Sequence, residues 1–280
     1  MITADATNPR PARTRARERR ARILELLNDQ GTLTVEQLSS EFGCSRATIR
    51  RDLASIVAGN GAARRLHGAV ALHSAVLEYR FQDKVSSCQR EKEAIARAAV
   101  AHLPDGITVG LNGGTTTTLV AREIAQRRRD ITVVTNAVNI AYDLTAPGVS
   151  VVVVGGALRP MNYETTGPLA LTMLDELHLD WAVLGTSGVH PLIGATTATE
   201  SEAAVGRAFA TKADHVMIVA DHTKFGRASL FRMVDWRSVE AVCTDQETTA
   251  TLREWERGGR LSFTADNDSA EAPLWEVSSR

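Results

Sequence analysis

The sequence predicts an α/β protein in two parts, a small basic helical module ahead of a larger one with a mostly parallel sheet. Three observations predict it. The length of 280 residues exceeds the roughly 150 of an average domain. The formal net charge of -1 conceals a split, because residues 1–72 hold 12 Arg, no Lys and seven acids (+5) while residues 73–280 hold 20 bases and 26 acids (-6). From Glu91 onward, short Val- and Ile-rich runs alternate with amphipathic stretches, as parallel strands do when helices cover both faces of their sheet. A charge asymmetry of this kind points to two parts with different partners.

Several classes fall away at once. No apolar run approaches the eighteen or so residues of a membrane span, and the start of the chain lacks the apolar stretch of a signal peptide, so a cytoplasmic protein without membrane contact is expected. Cys44, Cys88 and Cys243 lie far apart, with no CxxC and no paired His, which signals neither a disulfide framework nor a zinc site. They are expected as reduced, partly buried thiols, and neither metal nor cofactor is expected.

Along the chain, residues 1–17 read as a disordered basic arm that either touches phosphates or stays solvated. Residues 18–73 form the basic module, 74–90 a linker without period, 91–246 the α/β module, and 247–280 a last helix and a polar tail, disordered from about Asp266. In the α/β module strands are expected over Ile107–Leu111, Ile131–Val134, Val149–Val154, Trp181–Leu184, Val216–Ala220 and Val239–Cys243. The helices between them are expected over Lys92–His102, Thr115–Gln126, Ala137–Leu144, Gly167–Leu177 and Glu200–Ala213.

Within the basic module a first helix, Glu18–Asn28, carries Ile23, Leu24 and Leu27 on one side and stops before Gly31. A second opens at Thr34, where Thr34 and Gln37 have the spacing of a capping box, buries Val35 and Leu38, and ends at Phe42-Gly43. Ser45 caps a third, Arg46–Ala58, and two short helices joined through a Gly match the helix-turn-helix plan. At 100 degrees per residue, Ile49, Leu53 and Ile56 share a core stripe while Ala47, Arg51 and Ala54 lie opposite, with Arg50 on the flank. Small side chains permit close approach to a major groove, Arg can bond a guanine edge in bidentate fashion, and Ser45, Arg46 and Thr48 at the helix start suit phosphates. The plainer account is a solvated basic face. Gly59-Asn60-Gly61 then marks a turn, and Ala62–Leu66 and Ala69–Leu72 read as a hairpin, a wing from which Arg64, Arg65 and His67 would reach the DNA backbone or minor groove. His67 has an equally good account as a turn residue bonding a carbonyl.

Arg22-Ile23-Leu24-Glu25-Leu26-Leu27, Ser45-Arg46-Ala47-Thr48-Ile49-Arg50-Arg51-Asp52-Leu53 and Arg65-Leu66-His67-Gly68-Ala69 resemble the DeoR family of bacterial transcription regulators, whose winged helix-turn-helix ends in an R-x-HGGA stretch. Ala69 stands where that stretch has its second Gly, and Val70 where it has its Ala.

In the acidic module the strand Ile107–Leu111 runs into Asn112-Gly113-Gly114-Thr115-Thr116-Thr117-Thr118 and then a helix. Glycines between strand and helix leave backbone N–H groups free to converge on an anion, with Thr hydroxyls and the helix dipole in support. Neither a Walker loop nor a dinucleotide G-x-G-x-x-G is present, so a phosphate monoester on a small molecule is the natural guest, against the alternative of a simple Thr-capped helix. Thr135-Asn136 and Gly155-Gly156 end the next two strands, and ligands of open parallel sheets sit beyond the carboxyl ends of strands. Lys224, after the fifth strand, would neutralise a phosphate or balance Asp221; Lys212 and Glu200 read better as a solvated helix face.

Gly114-Thr115-Thr116, Val134-Thr135-Asn136, Val154-Gly155-Gly156, Gly185-Thr186-Ser187-Gly188 and Ala220-Asp221-His222-Thr223-Lys224-Phe225-Gly226 fall in the order of that family's sensor domain. The resemblance implies a fold similar to sugar-phosphate isomerases and a phosphorylated sugar as effector. Asn112 departs from the family's usual Asp. The function so implied is a DNA-binding regulator, a repressor of carbohydrate-metabolism genes, that reads double-stranded operator DNA as a homodimer or homotetramer. The alternative is a sugar-phosphate isomerase with an accessory helical domain, using Glu200 or Asp221 as base. A nucleotide or an unphosphorylated sugar also stays open, because the loop specifies an anion site and not the rest of the ligand.

Overall fold

The computed structural model describes residues 16, 18–20, 22, 23, 26, 32–60, 63–66, 69–72, 81–127, 130–145, 149–259, 261–266 and 272–279, and the chain divides into two compact units, Met1–Tyr79 and Arg80–Arg280. In the first unit residues 18–20, 22, 23 and 26 are helical, and so is Ala16, whose carbonyl accepts from Arg20 Nε at 3.2 Å. The helix therefore reaches into the end of the segment expected to be a disordered arm, since Ala and Arg are good helix formers. Residues 1–15, Leu24, Leu27, His67, His73 and the linker residues 74–80 lie outside the described residues.

Strand β1 (Thr32–Thr34) leads into α1 (Val35–Glu41), and the capping box forms: Thr34 Oγ1 accepts the Gln37 N–H at 3.1 Å and Gln37 Oε1 accepts the Thr34 N–H at 2.7 Å. Gly43, at φ 57°, turns the chain left-handed after this helix. Ser45 Oγ accepts the Thr48 N–H at 3.2 Å and so caps α2 (Arg46–Asn60), which runs two residues past its expected end because Gly59 is tolerated in a last turn. Ile49, Leu53 and Ile56 are buried against Ile23, Val35 and Leu38. β2 (Ala63–Leu66) and β3 (Ala69–Leu72) pair antiparallel, with Arg65 opposite Val70, and β1 adds to the other side of β3. Three residues are too few for alternation to reveal a strand, and β1 was not legible in the sequence.

One ion pair ties the leading helix to α2. Arg19 Nε lies 2.6 Å from Asp52 Oδ2, and Asp52 is buried. The Asp52 hydrogen bond raises the Arg19 guanidinium further above its ordinary value. Removing one partner of a covered pair leaves the other charge unsatisfied. Asp52→Ala is expected to cost on the order of 2–3 kcal/mol in urea unfolding of this unit, whereas an Arg46→Ala control at an exposed pair with Glu36 should lie within about 1 kcal/mol. Equal effects would refute the structural role of Asp52.

The second unit begins earlier than the expected Glu91. Phe81–Lys84 forms a helical turn (α3) and α4 runs Gln89–His102. The Phe81 N–H donates to Met161 O at 2.9 Å, its ring meets Tyr163 edge-on at 5.5 Å, and the buried Lys92 Nζ holds the carbonyls of Lys84 (2.7 Å) and Ser87 (2.6 Å). Residues 81–90 are thus docked structure and not linker; contacts distant in sequence hold them, which periodicity does not register.

The sheet is built on β4 (Thr108–Leu111), β5 (Thr132–Thr135), β6 (Ser150–Val153), β9 (Leu179–Gly185), β12 (Ala213–Val219) and β14 (Ala241–Cys243), all parallel, in the order β14-β12-β9-β4-β5-β6. Val109, Trp181, Val183, Met217 and Val219 face one apolar cluster with α4, α5 (Thr115–Arg127) and α6 (Val138–Asp143). Ala182, Leu184, Val216 and Ile218 face the other, with α7 (Pro168–Asp175) and α8 (Glu200–Lys212). Both faces being covered accounts for the near-continuous apolar runs. Short strands unseen in the sequence complete the unit: the hairpin β7 (Ala157–Arg159) and β8 (Glu164–Thr166), and the three-stranded sheet of β10 (Gly188–His190), β11 (Gly194–Thr197) and β13 (Phe231–Val234).

After α9 (Thr249–Arg257), the polar tail expected to be disordered from Asp266 instead closes the sheet. β15 (Leu261–Asp266) and β16 (Leu274–Ser279) form an antiparallel hairpin on β14. Leu274 joins one apolar cluster and Trp275 the other, so two adjacent residues anchor a strand whose polar composition disguised it. Cys243 is fully buried and its thiol is pushed up to about 12 by burial; Cys44 and Cys88 are half-buried.

Candidate functional site

The first unit offers a polar surface on α2. Ser45, Arg46, Ala47, Arg50 and Arg51 are exposed and Thr48 is half-buried, opposite the Ile49–Leu53–Ile56 stripe. The Ser45 and Thr48 hydroxyls lie 2.9 Å apart and Ser45 also caps the helix, so both are partly committed to the helix start. Arg46 pairs with Glu36 at 3.2 Å, and the protruding cations of the helix are Arg50 and Arg51. Arg64 and Arg65 are consecutive in β2, the first wing strand.

The second unit has its switch of strand order between β4 and β9: successive crossovers leave β4 toward β5 and β6 on one side, and β9, β12 and β14 lie on the other. A crevice opens beyond strand ends at such a point. Asn112, the first residue after β4, spans it, donating from Nδ2 to Gly185 O at 2.9 Å and accepting the Gly185 N–H on Oδ1 at 2.8 Å. The side chain expected to face a ligand is occupied in joining two strand ends. A carboxylate here would accept from Gly185 but could not donate to it, which gives the departure from Asp a physical account.

Beyond Asn112, Gly114 O accepts from the Thr118 N–H at 3.0 Å and from the hydroxyls of Thr117 (3.2 Å) and Thr118 (2.7 Å). The backbone N–H groups of Thr115, Thr116 and Thr117 precede the first intrahelical bond and lie at the positive end of the helix dipole. Among the described residues no hydrogen bond engages the Thr115 or Thr116 hydroxyl, in contrast to those of Thr117 and Thr118.

The hairpin β7–β8 covers this loop. Asn136 Nδ2 donates to Thr165 O at 2.9 Å, while Thr135 Oγ1 accepts the Ala137 N–H at 3.1 Å. Both residues are buried; Asn136 joins the end of β5 to β8, Thr135 caps the following turn, and among the described residues Asn136 Oδ1 is without a hydrogen-bond partner. Gly156 takes φ 141°, and a Cβ there would come within 2.6 Å of Thr166 O, so it serves the close approach of β8. Gly155 is exposed in open space.

Glu164, which the sequence did not single out, is buried directly against Gly113: a Cβ at Gly113 would fall inside the Glu164 side chain. Asn162 Nδ2 donates to Glu164 Oε2 and to Glu202 Oε1, the latter at 2.6 Å, and Arg159 reaches Thr199 Oγ1, Ser201 Oγ (3.1 Å) and Glu202 (3.8 Å). Burial, with Glu202 alongside, pushes the Glu164 carboxyl well above the usual carboxylate range, against the opposing pull of Arg159 and Lys84. A three-residue strand between glycine turns gives no periodic signal, which hid this acid.

Asp221 and Lys224 form a separate group. They pair at 3.8 Å beside the Thr223 hydroxyl, which also donates to Asp221. Burial would raise the Asp221 carboxyl, but Lys224, Thr223 and Lys92 together hold it below its ordinary value. Burial brings the Lys92 ammonium down to about 8. Among the described residues no hydrogen bond or ion pair joins this group to the Gly113-Gly114 loop. Glu200 is exposed, and Lys212 pairs with Asp175 at 3.2 Å.

Comparison with known proteins bears on both units. The DeoR-like helix-turn-helix domain matches residues 19–76 and the DeoR C terminal sensor domain matches residues 87–246. The chain belongs to the DeoR family. The Escherichia coli K12 glycerol-3-phosphate regulon repressor is 33% identical over 80% of this chain and 88% of its own length. The transcriptional repressor AccR of Agrobacterium fabrum is 32% identical over 89% and 97%. Ribose 5-phosphate isomerase A from Methanocaldococcus jannaschii is 16% identical over 68% of this chain and 80% of its own at a TM-score of 0.39, from which nothing about this chain's chemistry follows. As a DeoR-family protein the chain carries a DNA-binding helix-turn-helix and a C-terminal sensor domain, and no helix among the described residues is long and apolar enough to cross a membrane.

Because Glu164 binds its proton more tightly in the folded DeoR sensor than in the unfolded chain, its favourable contribution is complete below the ordinary carboxylate pKa and is lost as pH rises toward the raised value. Glu164→Gln is therefore expected to melt close to wild type at pH 5 and higher than wild type at pH 8. Parallel melting curves at both pH values would contradict the burial of this carboxyl.

Proposed function

We propose that this DeoR-family protein is a cytoplasmic repressor of carbohydrate-metabolism genes, whose binding to double-stranded operator DNA is controlled by a phosphorylated sugar held at the Asn112–Thr118 loop. The carrying observation is the start of α5, with three N–H groups before the first intrahelical bond, at the switch point of a parallel sheet and behind two glycines. Asn112, Gly113, Gly114, Thr115 and Thr116 would surround the phosphate, with Thr135, Asn136, Gly155 and Gly156 shaping the wall, and Asp221 and Lys224 adding charge from the neighbouring strand end. The name of the glycerol-3-phosphate regulon repressor is consistent with a small phosphate ester.

On the DNA side Arg50 and Arg51 would read base edges, Ser45, Arg46, Ala47 and Thr48 would fit the groove entrance, and Arg64, Arg65 and His67 would serve the wing. One helix contacts few bases, so a homodimer or homotetramer would be the reading unit. Control requires that the effector favour one arrangement of the protein over another. The β7–β8 hairpin supports a route: Glu164 at its end lies on Gly113, and Met161 at its tip holds Phe81, seven residues after the expected linker begins at residue 74. An isomerase has less support, with Glu200 exposed and Asp221 committed to Lys224.

Arg51→Ala should weaken specific operator binding by about 1–3 kcal/mol, roughly five- to 150-fold, in a mobility-shift titration at fixed salt. Unchanged binding would remove Arg51 from base reading. A thermal-shift screen of phosphorylated sugars should find a compound that raises Tm by about 5–10 °C at a hundredfold excess over its Kd, with the shift lost in Thr115→Ala and reduced in Lys224→Ala. Absence of any such compound would sink the effector reading.

A further inference from the structure

The anion loop has an acid pressed against it. Glu164 is buried, its side chain fills the space where Gly113 lacks a Cβ, and the groups around it come from four places. Glu202 approaches from α8, Arg159 from β7, Lys84 from α3 and the Asn162 amide from the hairpin turn. Asn162 is shared between Glu164 Oε2 and Glu202 Oε1, and Arg159 is turned toward Thr199, Ser201 and Glu202. Arg159 and Lys84 draw the Glu164 carboxyl down, but burial and Glu202 outweigh them, and a phosphate on the N–H groups of Thr115–Thr117 would meet this acid across Gly113. Two facing anions repel unless one is neutralised by a proton.

We propose that Glu164 is an effector-contacting residue that binds the anion in its protonated form, its carboxyl O–H donating to an oxygen of the phosphate over Gly113. One proton passes from solvent to Glu164 to whatever extent the free protein has not already bound it, and no bond of the effector is made or broken. The carboxyl then acts as a filter. It accepts a phosphate oxygen as hydrogen-bond acceptor only when protonated, so the sensor responds to pH and effector together. The direction agrees with the raised carboxyl reported above, since a group already inclined to hold its proton completes the step at least cost.

This inference rests on the loop being an anion site, and the test separates the two. Sulfate is the probe, because it stays dianionic from pH 6 to 9 and contributes no titration of its own. With the full-length protein, calorimetric sulfate affinity should fall with rising pH, approaching tenfold per pH unit above the point where Glu164 ionises. Binding should take up protons when measured in buffers of different ionisation heat. Glu164→Gln, which keeps a donor without a charge, should bind sulfate with a flat pH profile and more tightly than wild type at pH 9. Glu202→Gln, which removes the neighbouring charge yet keeps an acceptor for its helix cap, should shift the fall to lower pH, because the Glu164 carboxyl then gives up its proton earlier. Lys92, brought down to about 8, titrates within the pH range scanned but is present in every variant, so the difference between profiles belongs to Glu164. Thr115→Ala reports on the loop itself. Sulfate binding that Thr115→Ala abolishes but that shows the same pH profile in wild type and Glu164→Gln would overturn the role of Glu164 and leave the site standing. Absence of sulfate and inorganic phosphate binding in all variants at every pH would overturn both.

Discussion

Strand β4 pairs with β5 on one side and with β9 on the other, and the candidate site follows from that reversal of strand order. Crossovers that leave in opposite directions cannot cover the strand ends between them, so a crevice opens where β4 stops. The chain spends Asn112 on holding the two ends together through Gly185, and the next residues must turn at once into α5. Glycine at 113 lets the β7–β8 hairpin come down onto that turn, and Gly156 lets the hairpin leave its own strand. One topological fact therefore places a helix start, a glycine loop and a buried acid within one small volume.

The two units rest on different physics. In the first, a small core of Ile23, Val35, Leu38, Ile49, Leu53 and Ile56 is supplemented by the Arg19–Asp52 pair, which turns one arginine of a basic segment into structure and leaves Arg50 and Arg51 for a partner. In the second, two apolar layers sandwich the sheet, and polar groups gather at strand ends, where backbone N–H and C=O groups need partners that the ladder no longer supplies. The acidic excess of this half would make an anion site costly on charge alone. Any attraction would have to come from oriented N–H groups and from nearby carboxyls that are held toward their protonated form, as Glu164 is, or paired, as Asp221 is.

Where the sequence was legible, local rules and tertiary structure agreed. Thr34 with Gln37 and Ser45 with Thr48 are caps whose partners sit three residues away, and the Ile49–Leu53–Ile56 stripe has one period and one core to face. The parallel strands showed because both faces are buried and their residues are apolar throughout. Illegible features have partners far off in the chain: Phe81 on Met161, Glu164 on Gly113, β16 on β14, β1 on β3. Segments of three or four residues carry too few periods to declare themselves, and the polar tail announced disorder because Leu274 and Trp275 are outnumbered by their neighbours.

By itself the sequence determined the division into a basic and an acidic half, the capped helices of the first unit, the succession of the six parallel strands and the helices between them in the second, and the motifs of its family. These depend on residues close together in the chain, where spacing equals geometry. Only the tertiary structure decided what the site residues touch: that Asn112 serves Gly185, that Asn136 braces β8, and that Glu164 covers Gly113. Each joins elements separated by a crossover, and the sheet order that brings such elements together is a property of packing, which no local pattern encodes.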